Sequence, residues 1–472
     1  MCDHCCSPTG SHPGLLALRN AKSANFGKKN FTKEEVLEIA KKENVHFVNL
    51  QFSDLLGMSK AVTIPVHKLE DVIDRNMWFD GSSVEGFTRI FESDMYLKPD
   101  LATFSVLPWT RGRGDSTARL ICDVYMPDGK PFEGDPRYIL KKMLKKAESM
   151  GFSFNTGPEL EFFLFKKNGG KLSPLPHDYA GYFDQTTDLA TDIRKDMSLA
   201  LDQMGVEVEA LHHEVAAGQH EIDFKYGNAL TTADSAVSLK LVLKAIADMY
   251  GLHATFMPKP IAGINGSGMH VHQSLFKGGE NAFYDENDDY KLSKIARSYI
   301  AGQLKHVRAM NAVMNPIVNS YKRLVAGYEA PVYIAWASRN RSALIRIPKF
   351  IEGNTKAVRA ELRCPDPSCN PYLAFAVMLA AGLDGIENNL TPPAPVEENI
   401  YELSDEEAKE KGIGNLSENL YVALEELKNS KLMREVLGEH TFEAIYRGGM
   451  AMWDEFRMQV TQYEIDKYLE IY

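Results

Sequence analysis

Apolar residues spaced three and four positions apart predict a series of amphipathic helices. Thr32 and Glu35 form a capping box at the start of the first one. Asp135 and Pro136 are a favourable N-cap and first-turn pair, and they predict a second helix. We expect further helices near residues 188–204, 231–250, 290–312, 371–388 and 439–459.

Short β-rich runs predict strands in both halves of the chain. In the first half they lie at 46–52, 61–65, 103–106 and 119–126, around a stretch at 79–99 that we expect to be rich in loops. In the second half they lie at 159–165, 206–212, 219–224, 253–257, 268–275, 344–347 and 358–363.

These elements indicate an α+β protein of two domains, because one core rarely serves 472 residues. The turn-forming segment PDGKP separates a small N-terminal domain, residues 29–130, from a larger one, residues 131–472. Residues 1–28 have no hydrophobic period, so we expect a flexible extension.

Two glutamates lie on a strand that the pattern predicts to be buried. In PELEFFLF, Glu159 and Glu161 share one face with Phe163 and Phe165, while Leu160, Phe162 and Leu164 occupy the other. A strand that is apolar on both faces is a central one. Adjacent carboxylates repel each other there, so a divalent cation between them is favoured.

Carboxylates and histidines recur on three more predicted strands, as Glu214, Glu221, His270, His272 and Glu361. One such residue alone is more often a hydrogen-bonded polar group of the core. Together, they indicate two cation sites that are rich in carboxylate, which favours magnesium or manganese over zinc.

Arginines cluster close to these strands, at 339, 341, 346, 359 and 363. Each taken singly fits a surface charge or an ion pair. Beside acidic strands, such a cluster is typical of phosphoryl transfer, where cations neutralise phosphate oxygens. The chain has no G-x-x-x-x-G-K-[ST] motif, so this type of phosphate-binding loop is excluded.

Charge and composition narrow the function classes further. The net charge of −11 argues against a nucleic acid or an anionic membrane as partner. No apolar run is long enough to span a membrane, and the N-terminus lacks a signal peptide, so we expect a cytoplasmic location. Cys2, Cys5 and Cys6 fit a disordered tail better than a metal site.

Several motifs together resemble the glutamine synthetase family, in the order of that family. They are FDGSSVEGF, EGDPR, GPELEFFLF, HHEV with GQHE, NGSGMHVHQS, NSYKRLVAGYEAP, NRSALIRIP and ELRCPDPSCNPYLAFA. The resemblance covers residues 30–472. It implies a β-grasp-like N-terminal domain and a catalytic domain of the glutamine synthetase/guanido kinase type, with an antiparallel sheet flanked by helices.

The resemblance also implies roles for individual residues. One metal ion would be held by Glu161, Glu214 and Glu221, and another by Glu159, His270 and Glu361. Glutamate would be bound by Asn265, Gly266, Arg323, Glu329 and Arg363. ATP would be bound by Glu209, Tyr226, His272, Ser274, Arg341, Arg346 and Arg359. The catalytic residues would be Asp54, Glu329, Arg341 and Arg363.

The implied reaction joins ammonia to L-glutamate with ATP, through γ-glutamyl phosphate, and uses at least two Mg²⁺ ions, with Mn²⁺ as an alternative. Asp54 would deprotonate ammonium in the active site of a neighbouring subunit. The family therefore implies a homo-oligomer with shared active sites, two stacked hexameric rings in the type I enzymes.

Three positions bear on regulation and loop closure. Tyr401 aligns with the tyrosine that some type I enzymes adenylylate, but the paired prolines after it are missing, which favours the subgroup without this modification. Arg89 matches an arginine implicated there in feedback inhibition by glutamine; an ordinary loop cation is the alternative. A regulatory protein or another small effector also remains open. Ala326 stands where the family usually has proline, which predicts a looser loop around Glu329.

Two other functions stay open at the level of sequence. The same scaffold could couple glutamate to a primary amine, although Asp54 and Glu329 favour ammonia. The second alternative is a non-catalytic relative with a structural or sensing role, and the complete set of metal-ligand positions argues against it.

Overall fold

The computed structural model describes residues 13–20, 30–82, 84, 94–111, 114–168, 171–340, 342–398, 400 and 405–472. The helices in these ranges are α1 (Pro13–Asn20), α2 (Lys33–Lys42), α3 (Leu69–Arg75), α4 (Pro136–Ser149), α5 (Thr191–Gln203), α6 (Ala229–Met249), α7 (Lys294–Met314), α8 (Ser320–Arg323), α9 (Pro371–Glu387), α10 (Asp405–Glu410), α11 (Leu420–Lys428), α12 (Lys431–Arg457) and α13 (Gln462–Tyr468). All the long helices predicted from the pattern are confirmed, within a few residues at their ends. The helix predicted at 439–459 corresponds to the part of α12 that follows Gly438, where the helix is broken.

The strands are β1 (Phe47–Ser53), β2 (Ser59–Pro65), β3 (Met77–Asp80), β4 (Asp94–Val106), β5 (Thr117–Tyr125), β6 (Ser153–Asn168), β7 (Lys171–Pro176), β8 (Val208–His213), β9 (Gln219–Phe224), β10 (Gly227–Asn228), β11 (Leu252–Thr255), β12 (Met269–Lys277), β13 (Glu280–Asn281), β14 (Tyr333–Ala337), β15 (Ala343–Arg346), β16 (Ala360–Leu362) and β17 (Gly414–Asn415).

The small N-terminal domain is a five-stranded sheet in the order β2-β1-β5-β4-β3, with β1 and β5 parallel. Helix α2 begins at the predicted capping box, in which the backbone N–H of Glu35 donates to Thr32 Oγ1 at 3.3 Å. The expected loop at 79–99 is wrong at both ends, since Met77–Asp80 and Asp94–Val106 pair as β3 and β4. Both strands are bordered by charged and turn residues, which concealed their pattern.

The larger domain is built on a sheet in the order β17-β14-β15-β16-β12-β6-β9-β8. Its pairs are antiparallel except for β14 and β15. Strand β6 lies at the centre, and its side chains Leu160, Phe162 and Leu164 are fully buried in the main core. On its other face, Phe163 and Phe165 pack in a separate small cluster. The prediction of a central strand, apolar on both faces, is confirmed.

Helices α7 and α9 cross closely because glycines remove the side chains at the contact. A Cβ atom on Gly302 would lie 2.0 Å from the carbonyl oxygen of Ala381, and one on Gly385 would lie 2.0 Å from that of Ser298. Helix α9 is buried along almost all its length, because it packs against α4, α6, α7 and α12.

The N-terminal extension contains an ordered helix. Leu15 and Leu18 of α1 are fully buried, and Arg19 donates to both oxygens of Asp196 at 2.9 and 2.8 Å. The expectation of flexibility is therefore wrong for residues 13–20, because two leucines one turn apart supply an apolar face that docks on α5. Within the described ranges, no helix is long and apolar enough to cross a membrane.

Candidate active site

The register of the central strands brings the predicted acidic residues together. Glu159 pairs with Asp223 of β9 on one side and with His270 of β12 on the other. Two residues further along β6, Glu161 pairs with Glu221. Directly paired residues of an antiparallel ladder lie about 5 Å apart on one face of the sheet. The face of the sheet opposite the helices is thus lined with carboxylates.

One cluster joins three neighbouring strands. Glu159, His270 and Glu361 each offer a ligand atom, and these atoms all lie within 4.8 Å of one another. His272 is adjacent but is already engaged, since its Nε2 lies 2.7 Å from Glu159 Oε1 and its Nδ1 accepts from Arg359 at 3.1 Å. His270 is therefore the histidine that has a nitrogen left for a cation.

A second cluster lies at the β8–β9 side of the cleft. His212, Glu214 and Glu221 also have ligand atoms within 4.8 Å of one another. Glu161, which the resemblance assigns to this metal, faces the same cleft but lies outside that trio. Its Oε2 accepts hydrogen bonds from Gln219 Nε2 at 2.7 Å and from the Gly268 N–H at 3.0 Å.

The electrostatics of the cleft favour a bound cation. Burial and the nearby charge of Glu214 raise the pKa of Glu161 to about 8. Burial and the charge of Asp223 raise the pKa of Glu221 well above its ordinary value. Carboxylates that resist ionisation because they repel one another are stabilised when a divalent ion enters. With histidine and carboxylate donors in two groups, the residues present fit two hard divalent cations.

Arginines border the carboxylates on the β15–β16 side. Arg363 Nη1 lies 2.5 Å from Glu361 Oε1, and Arg346 Nε lies 3.1 Å from Glu361 Oε2. Arg323 is buried, and its guanidinium donates to the carbonyl oxygens of Arg363, Cys364 and Pro365. These cations can stabilise anionic oxygens at the mouth of the cleft.

Two adjoining cavities divide the predicted site residues between them. The first, of about 340 Å³, is lined by residues predicted to bind ATP: Glu209, Tyr226, His272, Ser274 and Arg359. The second, of about 360 Å³, is lined by the predicted metal and glutamate residues: Glu159, Glu161, Glu214, Glu221, Asn265, Gly266, His270, Arg323, Glu329, Glu361 and Arg363. Arg346, which was predicted to bind ATP, also lines this second cavity. Glu159 and Asp223 line both cavities, so the two meet at the metal-ligand candidates.

Asp54 lies apart from both cavities of its own chain. It is 1% exposed, accepts from the Met58 N–H at 2.8 Å, and lies 3.2 Å from Lys60 Nζ. Burial raises the pKa of Asp54. Asn370 of the larger domain donates to the carbonyl oxygen of Asp54 at 3.0 Å, which fixes this loop at the domain junction.

Three predicted residues, Arg89, Arg341 and Tyr401, lie outside the residues that the structure describes. Conversely, the structure adds His212 and Asp223 to the acidic face. Asp223 could have been found from sequence, because it lies two residues after Glu221 on the same face of the strand QHEIDF.

A buried hydrogen-bond network, which was not predicted from sequence, lies next to the second cluster and involves the neighbouring residues His213 and His220. His213 Nε2 lies 2.9 Å from Asp178 Oδ1, and His213 Nδ1 lies 2.6 Å from the carbonyl oxygen of Glu214. Arg194 Nη1 lies 2.9 Å from His220 Nδ1. These contacts fix the ends of β8 and β9, where Glu214 begins the loop between them.

A cleft that combines carboxylate clusters with arginines, beside a second cavity of similar size, defines an enzyme of metal-assisted phosphoryl transfer. Residues 133–468 match the family model of the glutamine synthetase catalytic domain, and residues 44–127 match that of the glutamine synthetase β-grasp domain. The chain therefore belongs to the glutamine synthetase family.

Individual relatives agree over nearly the whole length. Glutamine synthetase of Clostridium saccharobutylicum is 54% identical over 444 residues, which cover 94% of this chain and 99% of that one. The enzyme of Thermus thermophilus is 54% identical over 450 residues, covering 94% of this chain and all of that one. Among solved structures, a GmaS/ADP complex is 32% identical with a TM-score of 0.83, covering 92% of this chain and 99% of that one. Plasmodium falciparum glutamine synthetase is 26% identical, also with a TM-score of 0.83, covering 95% and 100%.

The function follows from membership of the family. The protein is a glutamate–ammonia ligase, which forms L-glutamine from L-glutamate and ammonia with hydrolysis of ATP, and its catalysis depends on a divalent metal. The sequence prediction of the family and of this activity is confirmed.

Proposed function

We propose that the carboxylate-lined cleft holds two Mg²⁺ ions, with Mn²⁺ as a substitute. Glu159, His270 and Glu361 would bind one, and the convergence of these three side chains within 4.8 Å is the observation that carries the proposal. Glu214 and Glu221, with Glu161 close by, would bind the other. When bound, the ions supply charge that offsets the negative oxygens of the transferring phosphoryl group.

The nucleotide would occupy the neighbouring cavity. Tyr226 is 48% exposed on its wall, so its ring is free to stack on the adenine. Ser274 and Glu209 offer polar contacts for the rest of the nucleoside. The phosphates would then point toward Glu159, which both cavities share, and Arg359 would neutralise their oxygens.

Glutamate would enter the second cavity from the side of Asn265 and Glu329. Arg323 would bind one of its carboxylates, since its guanidinium is held rigidly by three backbone carbonyls. Gly266 allows its loop to approach closely, since a Cβ atom there would lie 2.2 Å from the carbonyl oxygen of Pro258 and 3.3 Å from Arg323 Cγ. Arg341 is proposed to contact the phosphoryl group on the strength of the family motif NRSALIRIP alone.

The reaction would proceed in two steps. An oxygen of the glutamate γ-carboxylate attacks the γ-phosphorus, ADP leaves, and γ-glutamyl phosphate forms while Arg363 and Arg346 stabilise the charge on the phosphoryl oxygens. Ammonia then attacks the acyl carbon and phosphate leaves. Asp54 would take the proton from ammonium, and Glu329 would cover the acyl phosphate against water.

Asp54 implies how the subunits assemble. It lines neither cavity of its own chain, so we propose that it serves the site of an adjacent copy in a ring. Two stacked hexameric rings are the assembly we infer. We place the chain among the type I enzymes that are not adenylylated, because Tyr401 lacks the following prolines. A cytoplasmic location is proposed from its use of ATP.

The test measures glutamine formed from ATP, glutamate and ammonium, with and without Mg²⁺, for the wild type, Glu159→Gln and the surface control Glu387→Gln. Glu387 pairs with Lys146 at 3.0 Å on an exposed face, so its variant should keep full activity. Loss of activity in Glu159→Gln alone supports the proposal, and equal activity in both variants refutes it. Methylamine in place of ammonium tests the alternative function, a ligase that couples glutamate to a primary amine. Such an enzyme would be saturated by methylamine at a lower concentration than by ammonium.

A further inference from the structure

Two loops meet above the glutamate end of the cleft. One carries Glu329, whose φ of 56° lies in the left-handed region that residues with a side chain rarely adopt. The other carries Asn265, whose Nδ2 donates to Glu329 Oε2 at 3.0 Å. A strained backbone of this kind persists only where surrounding contacts hold it. The contacts of the Glu329 loop therefore decide how long it stays in this position.

Lys259 supplies a second link between the same two loops. Its Nζ lies 3.8 Å from the centre of the Tyr328 ring, and it also donates to the carbonyl oxygen of Ile264. The backbone of Lys259 is anchored on both sides by Asn319, which accepts from its N–H at 2.8 Å and donates to its carbonyl oxygen at 3.0 Å. Lys259 is 9% exposed, and a cation on a ring face is attracted more strongly when water is excluded.

We propose that Lys259 and Tyr328 are positioning residues that hold the Glu329 loop closed over the acyl phosphate. The inference rests on the proposed role of Glu329. Ala326 stands in this loop where proline would stiffen the chain, so the contact between the lysine and the ring supplies a constraint that the backbone lacks.

Loosening this contact has a defined chemical consequence. If water reaches γ-glutamyl phosphate, its oxygen attacks the acyl carbon, the bond between that carbon and the phosphate oxygen breaks, and glutamate and phosphate are released with a proton. The net reaction is then ATP and water to ADP and phosphate. In the coupled reaction one phosphate is released for each glutamine, so the ratio of phosphate to glutamine reports closure of the loop.

The experiment measures this ratio in the full-length enzyme at saturating ATP, glutamate and ammonium. Tyr328→Leu removes the ring and should raise the ratio at least threefold, whereas Tyr328→Phe retains the ring face and should stay near the wild-type ratio. Lys259→Met should resemble Tyr328→Leu, and the double variant should be no worse than the poorer single one. Lys428→Met is the matched control, because it removes a lysine 5.3 Å from the ring of Tyr446 on a remote surface.

Each outcome bears on a different claim. A wild-type ratio of phosphate to glutamine in Tyr328→Leu and Lys259→Met, with glutamine still formed, overturns the role of Lys259 and Tyr328 alone. Equal increases in Tyr328→Phe and Tyr328→Leu also overturn it, because the hydroxyl rather than the ring face would then matter. If the wild type releases no phosphate with glutamate present, the proposed function fails, and the proposed role of Lys259 and Tyr328 fails with it.

Discussion

A buried arginine joins the two domains at the start of α4. The side chain of Arg137 is 3% exposed and contacts carboxylates from both domains. In the small domain it lies 2.7 Å from Asp100 and 2.6 Å from Asp123. In the larger domain it donates to both oxygens of Asp234, at 3.0 and 2.9 Å. One guanidinium thus compensates three carboxylates.

Replacing this arginine by methionine tests how much the contact contributes. Arg137→Met keeps most of the aliphatic volume but removes the charge, so three carboxylates are left close together, of which Asp123 keeps its pair with Lys141. Breaking a buried ion pair from one side costs about 3–5 kcal/mol. Although burial alone would raise the pKa of Asp123, Arg137 and Lys141 lower it, and this pKa should rise in the variant.

The assay is urea unfolding followed by tryptophan fluorescence, since Trp78 and Trp109 lie in the small domain and Trp336 and Trp453 lie in the larger one. We expect the free energy of unfolding to fall by about 3–5 kcal/mol in Arg137→Met. Arg457→Ala is the control, because this arginine is 63% exposed in its pair with Asp454 and should cost about 0–1 kcal/mol. Equal losses in the two variants would refute the reasoning.

Four further predictions follow from individual contacts. Glu361→Ala should lower the rate of glutamine formation more than about 100-fold, and calorimetric titration with Mn²⁺ should lose one binding event. Mutating a residue that only supports a metal ligand costs about 10- to 100-fold in activity, so the loss of a ligand itself should cost more. Tyr226→Ala should raise the KM for ATP roughly tenfold, since stacking on a base contributes about 1–3 kcal/mol. Leu18→Ala should expose α1 to limited proteolysis, because deleting a buried leucine costs about 2–5 kcal/mol. Asp178→Asn should make the free energy of unfolding fall less steeply in acid. Burial alone would raise the pKa of Asp178, but its contact with His213 lowers this pKa to about 2. The stabilisation from this carboxylate is therefore present above about pH 4 and is lost as the pH falls toward 2.

The contradicting results are equally specific. Two Mn²⁺ binding events in Glu361→Ala would remove this residue from the metal ligands. An unchanged KM in Tyr226→Ala would place the adenine elsewhere, and unchanged proteolysis in Leu18→Ala would mean that α1 is not held by its leucines. A wild-type acid profile in Asp178→Asn would show that its carboxylate is not stabilised by folding.

Local features of the fold were predictable from sequence because their signals lie within a few residues. The capping box at Thr32 and the N-cap Asp135 both begin helices as predicted, and the side chain of Asp135 accepts from the Arg137 N–H at 3.0 Å. The helix predicted at 439–459 begins as expected directly after Gly438, because a φ of 73° and a ψ of 158° at this glycine break α12 into two helices.

The arrangement of the site depends on pairings that no local pattern contains. The alternation of side chains predicted which face Glu159 occupies, but only the register of β6 with β12, and of β12 with β16, brings His270 and Glu361 to it. For the same reason, the approach of His212 to Glu221 was not predicted, since it depends on the antiparallel pairing of β8 with β9. The family motifs therefore predicted which residues form the site, whereas the strand pairing determines which of them contact one another.

The most direct test is an experimental structure of the enzyme with Mn²⁺ and ADP, with the metal identified by anomalous scattering. Two manganese peaks are expected in the cleft, one contacting Glu159, His270 and Glu361, and the other contacting Glu214 and Glu221. An absence of peaks there, or a cleft in which these carboxylates point away from one another into solvent, would contradict the assignment of the metal sites.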